Sequence, residues 1–391
     1  MRPPPAATRD RVAAPVLALL AGPLSFGIAG PALVLDDAAR DLGVSSGAVT
    51  WVVTAFGWGI AVGTPLTAGL LGRHGVRRTL IGCAALVSAG AVLTTAMPVP
   101  AGVVLGVVLQ ALGAAGFTAV AMSLADSARR MGLVTASLAV VGSTAPLVGS
   151  LVADLASWRA TLVLPAVGAL AVPAVLRHAG RRPASGAVDL LGGVLLGGTV
   201  TALVFVPHQP WVAAPAALVG VLLLVRHVRV RPDGFLPAAV ARSPRFLAAA
   251  GLAFALAVVN FGLMYVLPRR LSGWTSAEIG FAMLWPLLLG GALSWFVVAG
   301  TAKARHGVVA AVLVGLGVAG AVVAALTADP AALLVAQGAA SIAASSGQGV
   351  FAVRATTAVP ATHRPAAIGL FTLCYLLGAA FGPAIVALLP S

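Results

Sequence analysis

Acid is scarce in this sequence. Ten aspartates and glutamates stand among 391 residues, against 24 lysines and arginines, and Lys303 is the single lysine. Charged residues of every kind make up 9% of the chain, where an ordinary soluble domain carries about 25%. So little charge excludes a globule whose surface faces water; the medium around it is lipid. Cysteine is nearly absent too. Cys83 and Cys374 lie far apart inside apolar runs, which excludes a disulfide framework or a cysteine metal site and leaves them as small apolar fillers. No glycine-rich phosphate loop with its lysine occurs, so nucleotide hydrolysis is not the energy source. No Ser-His-Asp set or metal-ligand spacing occurs either, so neither an enzyme nor a bound cofactor is expected. The net charge of +14 and pI near 11.7 would suit nucleic acid. The cations, however, fall in short clusters between apolar runs and pattern no groove-reading helix.

What is present is long apolar sequence: 60% hydrophobic residues and a mean hydropathy of +1.05. A helix of about 20 apolar residues crosses the hydrocarbon. Runs of that kind cover 14–35, 47–71, 79–97, 101–124, 132–153, 160–176, 188–206, 211–225, 246–268, 279–300, 307–327, 331–353 and 366–389. They are continuous rather than alternating, which excludes a barrel and predicts an all-α membrane protein of about thirteen helices. The first run, behind the tail Met1 to Ala13, lacks a clear small-residue cleavage site and reads as a first membrane helix, not a signal peptide.

Lysine and arginine then set the orientation. With the N-terminus in the cytoplasm, 20 cations fall on the inner side and four, Arg40, Arg159, Arg269 and Arg270, on the outer. One missed or invented span in mid-chain would invert every later loop, so the split also supports the span list. Thirteen spans place the C-terminus outside. The basic knot Arg73, His74, Arg77 and Arg78 becomes an inner anchor between the second and third spans. "AGLLGRHG" at 68–75 returns as "AGTAKARHG" at 299–307, each time in an inner loop after an even-numbered span. A short repeat at equivalent points of two membrane halves suggests a duplicated transport unit.

Several stretches resemble one family in the right order. "ARDLGVSSGAVTWVVTAF" (39–56) is similar to the first outer loop and second span of the 14-span drug:proton antiporter branch of the major facilitator superfamily. Residues 66–80 resemble its loop-2/3 motif, "LQALGAAG" (109–116) its fourth-span motif, "APLVGSLVADLASWR" (145–159) its fifth-span antiporter motif, and "VDLLGGVLL" (188–196) the start of its extra helix pair. The resemblance implies a cytoplasmic tail over 1–13, an N-terminal six-helix half over 14–178, a two-helix insertion over 188–227 and a C-terminal half over 235–391. Five helices of that second half are found and the last expected one is absent. It also implies a multi-pass protein of the bacterial inner membrane, monomeric, exporting small hydrophobic or amphipathic compounds. The high alanine, glycine and arginine content points the same way, to a GC-rich bacterial genome.

The resemblance places site residues as well. Arg73, Gly75, Arg77, Arg78, Arg305 and Gly307 would form the cytoplasmic gate, and Gly142, Pro146 and Gly149 the antiporter-motif helix. Three of the family's ionisable positions are apolar here. The loop-2/3 acid falls on Gly72, the first-span acid on or near Gly27, and the fourth-span arginine on Val107. A proton-carrying group must titrate inside the membrane and face a cavity. Asp36 and Asp37, at the outer end of the first span, are the acids nearest to that role; the alternative is a solvated outer loop. Gln110, Asn260 and Tyr265 are candidates for a substrate cleft. The two amides, with Gln337 and Gln348, could equally hydrogen-bond between helices. Two further readings stay open: a non-transporting membrane subunit, and an uncoupled facilitator or lipid-handling protein.

Overall fold

The computed structural model describes residues 12–125, 128–178, 189–206, 209–232, 234–271, 273–300, 305–360 and 363–386. Among them stand thirteen long helical segments and no strand. In chain order these are α1 (Ala14–Leu33), α2 (Ser46–Leu71), α3 (His74–Ala96) and α4 (Pro100–Leu124), then α5 (Ala128–Leu155) and α6 (Trp158–His178). They continue with α7 (Leu190–Phe205), α8 (Pro210–Val230), α9 (Pro244–Arg270) and α10 (Ser276–Gly300). The last three are α11 (His306–Leu326), α12 (Pro330–Thr357) and α13 (Arg364–Val386). Each matches one expected run. Eleven are long and apolar enough to cross a membrane. The other two are α7, with only 16 residues, and α12, whose Gln337, Ser341, Ser345, Ser346 and Gln348 dilute its apolar character. Burial inside protein rather than in lipid makes α12 possible.

Proline shapes several spans. It supplies no N–H and crowds the preceding turn. In α1, with Pro23 and Pro31, the helix passes into a 3-10 turn over Gly30–Leu33. In α6 a 3-10 stretch covers Leu164–Ala171, next to Pro165 and Pro173. The chain kinks in the first turn of α3 at Gly75, whose φ of 73° and ψ of 175° suit a residue without Cβ. The basic knot is therefore a tight turn, and its glycine makes the turn.

In lipid no hydrophobic force draws helices together, so small residues that admit close backbone contact decide the packing. On α4, a Cβ at Gly113 would lie 2.5 Å from the Cys83 carbonyl oxygen of α3. On α13, one at Gly382 would lie 2.6 Å from the Gly262 nitrogen of α9. The insertion attaches to α2: Trp58 Nε1 donates to Thr201 Oγ1 on α7 at 2.8 Å. Between α1–α6 and α9–α13 the contact runs along two helix pairs. On α2 and α13, Gly57 abuts Ala380; on α5 and α10, Gly280 abuts Leu147 and Ser150. The helix ends segregate by charge. Asp36, Asp37, Asp41, Asp154, Glu278 and Asp329 lie at one end, called here the acidic end, and Arg77, Arg130, Arg177, Arg226, Arg305 and Arg354 at the other, the basic end.

Replacing Gly113 with valine should lower thermal stability in detergent by about 1–3 kcal/mol through overpacking. Gly82→Ala, in the same helix pair with nothing within 4 Å of the new Cβ, should hold or raise it. Melting of the two variants side by side checks the close-packing argument.

Candidate functional site

The seam between α1/α5 and α9/α10 is tied by hydrogen bonds to backbone carbonyls. The Tyr265 hydroxyl of α9 donates to the Ile28 carbonyl of α1 at 2.7 Å. Ser143 Oγ on α5 lies 3.0 Å from the Leu287 carbonyl of α10 and 2.9 Å from that of Ala139 on its own helix. Ser341 Oγ of α12 reaches the same Leu287 oxygen at 3.5 Å. Toward the acidic end the seam holds a cavity of about 160 Å³, lined among others by Asp36, Thr50, Tyr265, Arg269, Trp274 and Ser276.

The expected antiporter helix borders this seam through Ser143, Leu147 and Ser150, while its Gly142 and Gly149 turn to α1 within the same half. Gly149 lets α5 touch α1, since a Cβ there would lie 2.5 Å from the Gly30 carbonyl oxygen; Gly142 faces Ser25. Pro146 lies inside α5 between them. Beyond the helix end, Ser157 caps α6 by accepting from the Ala160 N–H. Trp158 Nε1 and Arg159 both reach Asp41 Oδ2, at 3.1 and 3.4 Å. Arg159 also donates to the Met97 and Thr94 carbonyls, at 2.6 and 3.2 Å, filling acceptors that the end of α3 leaves open.

The three candidate cleft residues are not brought together. Gln110 is fully buried against α3, with its Nε2 donating to Thr94 Oγ1 at 2.9 Å. Asn260 accepts from Gln337 Nε2 of α12 at 3.0 Å. These are interhelical bonds inside each half, and only Tyr265 crosses between halves. Asp36 and Asp37 lie on a short helix, Leu35–Leu42, outside the spans. Asp36 is exposed at the cavity rim and Asp37 pairs with Arg40.

At the basic end, Gly75 makes the turn, Arg77 and Arg78 are exposed on the first turn of α3, and Arg305 is the exposed cap residue before α11, followed by Gly307. The side chains of Gly72 and Arg73, and residues 301–304 of the second copy, lie outside what is described. Among the described residues no carboxylate pairs with Arg77, Arg78 or Arg305. Two of the lost ionisable positions are occupied by packing. Gly27 lies directly against the Phe56 ring of α2, and Val107 is buried in the core of α4.

One cluster escaped the sequence reading. Asp189, just ahead of α7, receives His227 Nε2 of α8 at 2.7 Å, the Phe235 N–H at 3.0 Å and the Gly192 N–H at 3.0 Å, with Arg231 at 3.7 Å. The Asp189 and His227 side chains are 8% and 9% exposed. They are 38 residues apart in sequence, and the hint was a lone histidine closing an apolar helix whose partner helix starts with a lone acid. Burial pushes the Asp189 carboxyl up, but the bonds from His227, Phe235 and Gly192 and the His227 charge outweigh it and hold it at about 2. Because this folded-state value lies below the ordinary one, the clasp stabilises above about pH 4 and that contribution fades as pH falls toward 2.

The Major Facilitator Superfamily model matches residues 16–300. The methylenomycin A resistance protein of Bacillus subtilis (strain 168) is 28% identical over 282 residues, 66% of this chain and 60% of the relative. The chain thus spans about 60% of the length of that curated relative. Among solved structures, a POT family transporter in complex with 5-aminolevulinic acid superposes with a TM-score of 0.67 at 13% identity, covering 95% of this chain and 89% of that one. A bacterial homologue of the human lysosomal transporter Spinster, inward-facing and occupied, gives 0.60 at 17% identity, covering 95% and 80%. At such identities the likeness is one of fold.

Asp189→Asn should lower stability near pH 7 by about 2 kcal/mol. Melting of both proteins from pH 7 to pH 2.5 checks this: the gap between them should narrow below about pH 4.

Proposed function

The chain belongs to the major facilitator superfamily, and from that premise we propose that it exports small hydrophobic or amphipathic compounds by rocking its two halves about the α2/α13 and α5/α10 seams. The observation that carries the reading is the seam itself. The halves meet through glycine contacts and through a few hydrogen bonds whose acceptors are backbone carbonyls: Tyr265 to Ile28, Ser143 to Leu287, and Ser276 to Leu33 at 3.5 Å. Bonds of this kind are worth about 1 kcal/mol each, so a substrate with modest preference for one arrangement can shift the balance. A relative named for antibiotic resistance supports export as the direction. The cation bias supports a basic end in the cytoplasm of a bacterial inner membrane, with the Gly75 turn and Arg77 and Arg78 beside the inner gate and Ser143, Leu147 and Ser150 of α5 in the moving seam.

Proton coupling at the family's usual places has no support in these residues. Gly27 leaves its space to the Phe56 ring, Val107 is buried among apolar neighbours, and every described carboxylate lies at a helix end or in a loop. That observation favours a second reading, uncoupled facilitated movement. Under antiport, Asp36 at the rim of the seam cavity and Asp37 beside it carry the proton; under facilitation neither does. The weakly polar cavity beside Tyr265 suits substrates held by apolar contact.

Ethidium efflux from cells expressing the chain, against an empty vector, tests both. Efflux above vector that survives a protonophore means facilitation. Efflux abolished by it means antiport, and Asp36→Asn with Asp37→Asn should then remove the pH dependence. No efflux above vector with this or a panel of other amphipathic dyes favours a non-transporting membrane subunit and overturns the proposal.

Tyr265→Phe should keep the fold, since only the hydroxyl is lost, and loosen the acidic-end seal by about 1 kcal/mol. The reporter is thiol labelling of a cysteine placed at Ser276: it should rise about fivefold in the variant, with melting temperature within a few degrees.

A further inference from the structure

Three of the four cations of the acidic end have protein partners, and the foot of the insertion differs. Arg40 pairs with Asp37, Arg159 with Asp41 and two carbonyls, and Arg269 with the Val386 carbonyl at 3.2 Å, at the end of α13. At the foot of the insertion, Arg226, Arg229, Arg231, Arg242 and Arg245 fall within 20 residues, on the last turns of α8, the following loop and the first turn of α9. All five are exposed. Among the described residues one acid is near, Asp189, and it cannot serve them. It is buried, its oxygens already accept from Gly192, Phe235 and His227, and it touches Arg231 alone, at 3.7 Å. No hydrogen-bond or ion-pair partner among the described residues meets Arg226, Arg229, Arg242 or Arg245.

Directly above this foot, α8 turns an apolar flank outward. Leu218 is 60%, Leu222 59% and Val230 72% exposed. A helix with this flank in a membrane protein faces acyl chains, so the arginines at its end stand at headgroup depth. Guanidinium groups meet phosphate oxygens in a two-pronged geometry that an ammonium cannot match, and clusters of four or more cations beside a spanning helix draw anionic lipid. The α8 helix is held to the rest mainly by α7, through the Gly220–Thr199 contact and the Asp189–His227 clasp, so its outer side has no protein cover in the chain described.

We propose that the foot of the α7–α8 insertion is a binding site for anionic phospholipids, with the phosphodiester on Arg226, Arg229, Arg242 and Arg245 and the acyl chains along the Leu218–Leu222 flank. The clasp orients the site: by fixing the end of α8 against the start of α7 and Phe235, it keeps the two pairs of arginines at one depth. The site stands whether or not the chain exports drugs.

The test uses the full chain purified in neutral detergent and titrated with dioleoyl phosphatidylglycerol, with dioleoyl phosphatidylcholine or with inorganic phosphate, read by melting temperature and by native mass spectrometry. Phosphatidylglycerol should raise the melting temperature and remain bound. Replacing Arg226, Arg229, Arg242 and Arg245 together with glutamine should weaken its apparent affinity at least about tenfold. Removing Arg177, Arg354 and Arg364 instead should leave it within about twofold. Equal response to phosphatidylcholine overturns the proposal, as does equal loss in both sets of variants, which means diffuse attraction to net charge. The same stabilisation by inorganic phosphate overturns it too, since the site is then for a free ion. If the four-fold variant fails to fold, the comparison of the three additives on the unaltered chain still decides.

Discussion

Hydrocarbon does not forgive an unpartnered polar group, and nearly every feature of this molecule answers to that. Backbone N–H and C=O groups without water must bond within their own segment, so each apolar run is a helix. The same cost drives acids to the helix ends. The one buried carboxylate among the described residues, Asp189, is admitted only because four donors surround it. It also explains why cross-helix polar contacts aim at carbonyls. A helix end leaves an acceptor unused, and Arg159 at Met97 and Arg269 at Val386 fill such places.

The two halves meet along two helix pairs, α2 with α13 and α5 with α10. Inside each half, glycines let backbones touch, as at Gly113 on Cys83 and Gly382 on Gly262, and amide pairs such as Asn260–Gln337 pin the register. Between halves there are the Gly57–Ala380 and Gly280–Leu147 contacts and a few hydroxyl bonds. Helices α7 and α8 join α2 by the Trp58–Thr201 bond, and much of α8 is exposed.

Candidate sites were unevenly legible. The Gly75 turn could be read, because a basic knot between two apolar runs has to be a loop and its glycine is the residue that bends. Small residues at helical spacing marked α5 as a close-packing helix, but they did not say that Gly142 and Gly149 turn to α1 while Ser143, Leu147 and Ser150 meet α10. The split of Gln110 and Asn260 into separate interhelical bonds was not legible, since an amide in an apolar run says that it needs a partner and not which one. The Asp189–His227 clasp was hidden for a similar reason: its members are 38 residues apart and only the antiparallel return of α8 along α7 joins them. Gly27 looked like a lost acid, and the structure adds what took its place, the Phe56 ring.

By itself the sequence determined the number, type and limits of the helices and the segregation of charge between their ends, because hydropathy and the cost of burying charge act on each segment alone. Which face each helix turns inward, which amides pair, where the halves touch and which arginines are left without a partner were decided by the tertiary structure. Those are relations between segments, set by where glycines permit contact and where a carbonyl stands open, and no local pattern encodes both partners at once.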